Sequence, residues 1–115
     1  MAKNLKTFLV LYHAPMASLK QMGKMSPEDK QKGMALWMKW AKKCGDKLIN
    51  MGAPLGGGVA LDPAGSSPSK KNVAGYSIVQ AASMAGAQSL MKGHPHFGYA
   101  KACTIEVHEV LPMPG

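Results

Sequence analysis

Leu5-Lys6-Thr7-Phe8-Leu9-Val10-Leu11-Tyr12 is the stretch on which the fold turns. It is rich in aromatic and β-branched residues and reads as a strand. Phe8, Val10 and Tyr12 fall on one alternating face, and Leu9 and Leu11 on the other. A strand that is apolar on both faces is expected to be covered on both.

Working outward, His13 to Met25 reads as a loop punctuated by Pro15 and Gly23. Ser26-Pro27-Glu28-Asp29 is a helix start: Ser26 as cap, Pro27 at the first helical position, and two acids facing the positive dipole end. Met34, Trp37, Ala41, Cys44, Leu48 and Met51 then recur at spacings of 3 and 4, one face of a helix that Gly52 is expected to stop. On that stripe Trp37 is a core residue, and Trp40 lies off it, toward a loop or pocket.

Pro54 to Leu61 reads as a short second strand and Asp62 to Lys71 as a loop. Val73 to Gln80 is a third strand. Ser83 caps a short helix over Met84 to Lys92, ended by Gly93, and His94 to Gly98 is a turn. Cys103 to Leu111 is a fourth strand, alternating Cys103, Ile105 and Val107 against Thr104, Glu106 and His108. Pro112 to Gly115 is an extended tail. The order β-α-β-β-α-β predicts a single α+β domain of ferredoxin-like layout, with an antiparallel four-stranded sheet and both helices on one face. The other sheet face then lacks a cover within the chain, and a second copy packed sheet to sheet would supply it. The expected assembly is a homodimer.

The 115 residues suffice for one modest core, and 46% apolar with 17% charged residues argues against disorder. No apolar run is long enough to span a membrane, and Met1 to Lys6 lacks the apolar region of a secretory signal. Cys44 and Cys103 form no CxxC pair. A cytoplasmic protein with reduced thiols is the expectation. The net charge is +8, and all 14 basic residues are lysine. Without arginine the bidentate fork of specific nucleic-acid recognition is missing, so nucleic acid is not an expected partner. Lys30, Lys32, Lys39, Lys42, Lys43 and Lys47 read as the solvated face of the first helix.

Several segments together resemble YCII-related proteins: the strand ending in Tyr12, the Ser26-Pro27-Glu28-Asp29 helix start, Trp37-Met38-Lys39-Trp40 and Pro54-Leu55-Gly56. Gly75-Tyr76-Ser77-Ile78-Val79, Gly93-His94-Pro95-His96 and Thr104 to Val110 extend the likeness over nearly the whole chain. The resemblance implies a dimeric α+β barrel. The wider superfamily includes cofactor-independent isomerases, dehydrochlorinases and monooxygenases of small organic molecules. In much of the family a histidine on the first helix pairs with an aspartate before a proline. Here the first helix has no histidine, and His94 precedes Pro95. The family's Asp-Gly-Pro-Phe loop is also absent, so the usual dyad does not carry over.

In that topology His13, His94 and His96 share one end of the domain, and His108 lies at the other. Histidine titrates near neutrality and serves as general acid–base. His94 is therefore the first catalytic candidate, with His13 and His96 assisting, and Tyr12, Trp37, Trp40 and Phe97 lining a pocket for a small organic ligand. Three imidazoles can also hold a metal, but Pro95 constrains the His94-x-His96 pair, and no metal or other cofactor is expected. Surface-turn histidines without a role are the plain alternative. Gly56-Gly57-Gly58 lacks the lysine-serine pair of a P-loop and reads as a bulged or closely packed strand. The ten methionines read as adaptable core, and Cys44 as inert. Two functions follow from these residues: an acid–base step on a small molecule, or a non-catalytic binding or accessory role.

Overall fold

A computed structural model describes residues 5–15, 24–98 and 103–113. Most of the loop read over His13 to Met25, and the end of the tail, lie outside the described residues. Strand β1 (Lys6–His13) leads to helix α1 (Pro27–Cys44), a short 3₁₀ turn (Gly45–Lys47) and β2 (Leu48–Pro54). A hairpin of β3 (Val59–Asp62) and β4 (Gly65–Pro68) follows, then β5 (Val73–Ala81), α2 (Met84–Leu90), a second 3₁₀ turn (Pro95–Gly98) and β6 (Thr104–Glu109).

Four strands form one sheet in the order β2-β5-β1-β6, every neighbouring pair antiparallel. Apolar β1 and β5 take the two central places. Phe8, Val10 and Tyr12 of β1 and Val79 and Ala81 of β5 pack with Trp40 and Cys44 of α1 and with Ala87 and Met91 at α2. Both helices thus cover one face. On the opposite face Leu9 pairs with Ile78 and Leu11 with Tyr76, and all four are only half-buried. Among the described residues the two-sided apolarity of β1 is therefore matched by a helix cover on one side only.

Both helix starts follow the sequence signals. Ser26 Oγ accepts from the Asp29 amide at 3.1 Å, and Ser83 Oγ from the Gly86 amide at 3.1 Å. Each bond satisfies an amide that a helix start leaves orphaned.

The C-terminus of α1 corrects the sequence expectation. The helix stops at Cys44 because Gly45 turns left-handed, at φ 60°, while its amide still bonds to Ala41. Leu48 and Met51 continue the helical spacing, but the chain there pairs with β5. The second sheet strand is therefore residues 48–54 and not 54–61. Gly56 to Gly58 is connection, not strand, and the expected loop 62–71 contains β4 and the tight hairpin turn. Asp62 Oδ1 holds that turn by accepting from the amides of Ala64 (2.8 Å) and Gly65 (3.1 Å). In β2, Gly52 has φ 80° and lies against Tyr76 so closely that a Cβ would collide with the Tyr76 carbonyl oxygen. Only glycine fits at this irregularity of the β2–β5 ladder.

Candidate ligand cavity

Strand alternation places Tyr12 on the helix-covered face, opposite Gly75 of β5. Gly75 matters there, because a Cβ would crowd the Ala53 carbonyl oxygen at 3.1 Å while touching the Tyr12 ring at 3.4 Å. The Tyr12 hydroxyl lies 2.7 Å from Ser77 Oγ and 3.1 Å from His94 Nε2. Ser77 Oγ donates to the Met51 carbonyl at 2.7 Å. The His96 amide donates to His94 Nδ1 at 3.0 Å.

The two ends of this chain fix every proton in it. Nδ1 of His94 accepts, so its proton sits on Nε2 and is donated to Tyr12. The serine proton is committed to Met51, so Ser77 accepts from Tyr12. The path runs from the His96 amide through His94, Tyr12 and Ser77 to the Met51 carbonyl, one direction throughout. His94 is consequently neutral. Burial among Tyr12, Trp37 and Trp40, with ring centroids 4.4 to 4.9 Å from its own, lowers its pKa to about 3, and neighbouring His96 adds to the effect. Burial likewise pushes the Tyr12 phenol above its usual range. Both groups hold single protonation states at neutral pH.

Beside this chain lies a cavity of about 270 Å³ between α1 and the β2–β5 side of the sheet. Tyr12, Met34, Trp37, Met51, Tyr76 and His96 are among its walls, with Lys30 the charged residue. Gly33, Gly52, Ala53, Ala74 and Gly75 also line it, so small residues border much of the space. Lys30, Gly33, Met34 and Trp37 recur at helical spacing, so one face of the first half of α1 forms the wall.

Trp40 leaves the place that the sequence stripe gives it. Trp40 is 4% exposed, in the core, with its indole N–H donated to the Leu90 carbonyl at 2.8 Å. Trp37 is half-buried, edge-on to Tyr12 at 5.0 Å, and lines the cavity. With α1 ending at Cys44, the packing stripe rotates onto Trp40 and Cys44. Burial pushes the Cys44 thiol up, consistent with an inert core residue.

The histidines share one end but not one site. His94 is 2% exposed and has both ring nitrogens occupied. His96 is buried, lines the cavity and donates from Nε2 to the His13 carbonyl at 2.8 Å. Burial lowers its pKa, opposed by its hydrogen bonds to the backbone of His13 and Thr104. The His13 ring points to the other sheet face, as alternation with Tyr12 requires. There Nδ1 bonds to the Lys71 carbonyl at 2.7 Å, and Nε2 lies 3.5 Å from Glu106 Oε1. His108 bonds to the same Glu106 oxygen at 3.0 Å, and this hydrogen bond, with the nearby His13, holds the Glu106 carboxyl below its usual range. No cluster among the described residues suits a metal ion. Phe97 is exposed and borders a separate shallow depression with Gln88, Met91, Ile105 and Val107.

Sequence reading missed Ser77, Gly52, Gly75 and Lys30. Of these only Lys30 carried a signal, its helical register with Trp37.

No protein-family model matches this chain, and no curated protein matches it in sequence. No helix among the described residues is long and apolar enough to cross a membrane.

Proposed function

We propose that this chain is a ferredoxin-like, YCII-related domain that binds a small, largely apolar organic molecule in the cavity between α1 and β2–β5. One observation carries the reading: a pocket with aromatic and methionine walls, built around a fully committed hydrogen-bond chain. The rigid Tyr12–His94–Ser77 arrangement pre-organises the wall, so little ordering is left for binding to do. Ligand pockets commonly span about 300 to 1,000 Å³, and this one is at the small end, the size of a one- or two-ring molecule. The strand order and the shared helix face support the ferredoxin-like layout. The half-buried Leu9, Leu11, Tyr76 and Ile78 support pairing of two copies through the open sheet face.

Saturation-transfer NMR with naphthalene-sized aromatics tests the pocket. Binding to the parent protein is expected, with loss in Gly33→Leu, which puts a large side chain on the cavity wall. Equal binding by a folded Gly33→Leu protein rejects this site.

A second reading, a cofactor-independent acid–base step, is favoured by the place of His96 on the cavity wall. His94 is not among the lining residues, so proton transfer would fall to His96. Turnover of a small organic substrate that survives His96→Gln would reject it.

A further inference from the structure

We infer that the molecule taken by this cavity is an apolar anion, such as an aromatic carboxylate, whose charged group is held by Lys30. The inference rests on the proposed binding function and names its ligand class.

Among the described residues lining the cavity Lys30 carries the only full charge at neutral pH, and no carboxylate lines it. His96 adds no positive charge, since burial lowers its pKa. Tyr12 adds no negative one. Lys30 also belongs to the wall by position. It precedes Gly33, Met34 and Trp37 at spacings of three, four and seven, the face that α1 turns to the cavity. Its helix neighbours Glu28 and Asp29 are not among the lining residues. No described carboxylate forms an ion pair with it; the ion pairs of the described residues involve Lys6, His13 and His108. The amine is thus available to a ligand.

Polarity is arranged in one sense. The walls formed by Met34, Trp37, Met51 and Pro54 suit a hydrocarbon or ring body, and Lys30, one turn back from Met34 along α1, suits a single negative end. The first turn of α1 presents its positive dipole end on the same side, partly offset by Glu28 and Asp29. A cation would meet Lys30 unopposed. Lys30 is exposed, so a neutral molecule would leave the amine to water and gain nothing from it. A ligand with an apolar body and one carboxylate satisfies both parts.

Calorimetric titration with 2-naphthoate and its uncharged isostere 2-naphthamide tests this in the parent chain, Lys30→Gln and Lys39→Gln. Lys39 is exposed on α1 and is not a lining residue, so its loss lowers the net charge equally. The expected result is about tenfold tighter binding of the acid than of the amide by the parent and by Lys39→Gln, the size of one charge-assisted contact. In Lys30→Gln that preference should vanish while the amide binds as before. Equal affinity for acid and amide in the parent would overturn the anion inference and leave the pocket standing. An equal loss in Lys39→Gln would assign the preference to diffuse charge and overturn it too. Binding of neither probe at millimolar concentration would overturn both the inference and the binding function.

Discussion

His94 Nε2 donates to the Tyr12 hydroxyl across 3.1 Å, joining the turn after α2 to the centre of the sheet. The residues are 82 apart in sequence, both are 2% exposed, and Tyr12 is the partner that takes the His94 Nε2 proton. An unmade hydrogen bond at such a depth costs roughly 1–3 kcal/mol, so the pair fixes where the turn packs.

The first consequence is a dependence of stability on pH. The folded-state pKa of His94 is about 3, against an ordinary 6.5. Between those values the unfolded chain binds a proton that the folded chain does not. Stability is then complete above about pH 6.5 and falls as pH drops through the window toward 3, with a slope of up to about 1.4 kcal/mol per pH unit. His96 shifts in the same direction and adds to the loss. Urea titrations at pH 7 and pH 5 should show the fall, and His94→Phe should flatten it. A stability that is level across this range would contradict a neutral, buried His94.

Two glycines with positive φ separate conformational cost from steric cost. Gly45 has φ 60° with ψ −132° and open space where a Cβ would go, so Gly45→Ala should cost only the backbone penalty of about 1–3 kcal/mol. Gly52→Ala meets that penalty and a collision with the Tyr76 carbonyl as well. Its cost should exceed about 3 kcal/mol, with loss of hydrogen-exchange protection in β2. Similar melting temperatures for the two variants would show that the β2–β5 approach yields easily.

Trp40 and Trp37 should divide stability from binding. Trp40→Phe removes the indole donor to the part-buried Leu90 carbonyl and should cost about 0.5–1.5 kcal/mol. Trp37→Leu changes the cavity wall and should alter affinity for aromatic probes by more than it shifts the melting point. The reverse pattern, with Trp37 dominating stability, would restore the placement that the sequence stripe implies.

Some of this was legible in the residues, and the reasons differ by element. The Ser26 and Ser83 caps are local chemistry, and local chemistry decided them. The strand at Leu5 to Tyr12 announced its central place through its double apolar alternation. The end of α1 was hidden because Leu48 and Met51 continue the 3-and-4 spacing past Gly45. Pairing of Leu48 with Val79 and Asn50 with Ile78 decided that segment, and such long-range contacts leave no periodic trace. Trp37 lines the cavity and also packs against the core, so the misplaced residue is Trp40, which the 3-and-4 stripe left outside the core. His13 is different: its opposition to Tyr12 was written in the period-2 alternation, and grouping it with His94 and His96 considered only the end of the domain, not the face. The hydrogen-bond chain through Ser77 needed β5 in register with β1, and nothing local supplies that.

The open sheet face supplies the last prediction. Leu9 and Ile78 lie opposite each other at its centre, with Leu11 and Tyr76 one step along. A half-buried apolar patch in the middle of a sheet is covered most economically by its own symmetric copy, since a two-fold axis lets one patch serve both partners. Glu106 and His108 border the patch on the β6 side, where a partner's edge would meet polar groups. Sedimentation should therefore give twice the chain mass at micromolar concentration. Ile78→Lys, which puts a charge at the patch centre away from the helix-covered core, should give the single-chain mass while keeping the far-ultraviolet circular dichroism. A parent protein that sediments as one chain would end the dimer proposal but leave the cavity untouched, because Leu9, Leu11 and Ile78 do not line it.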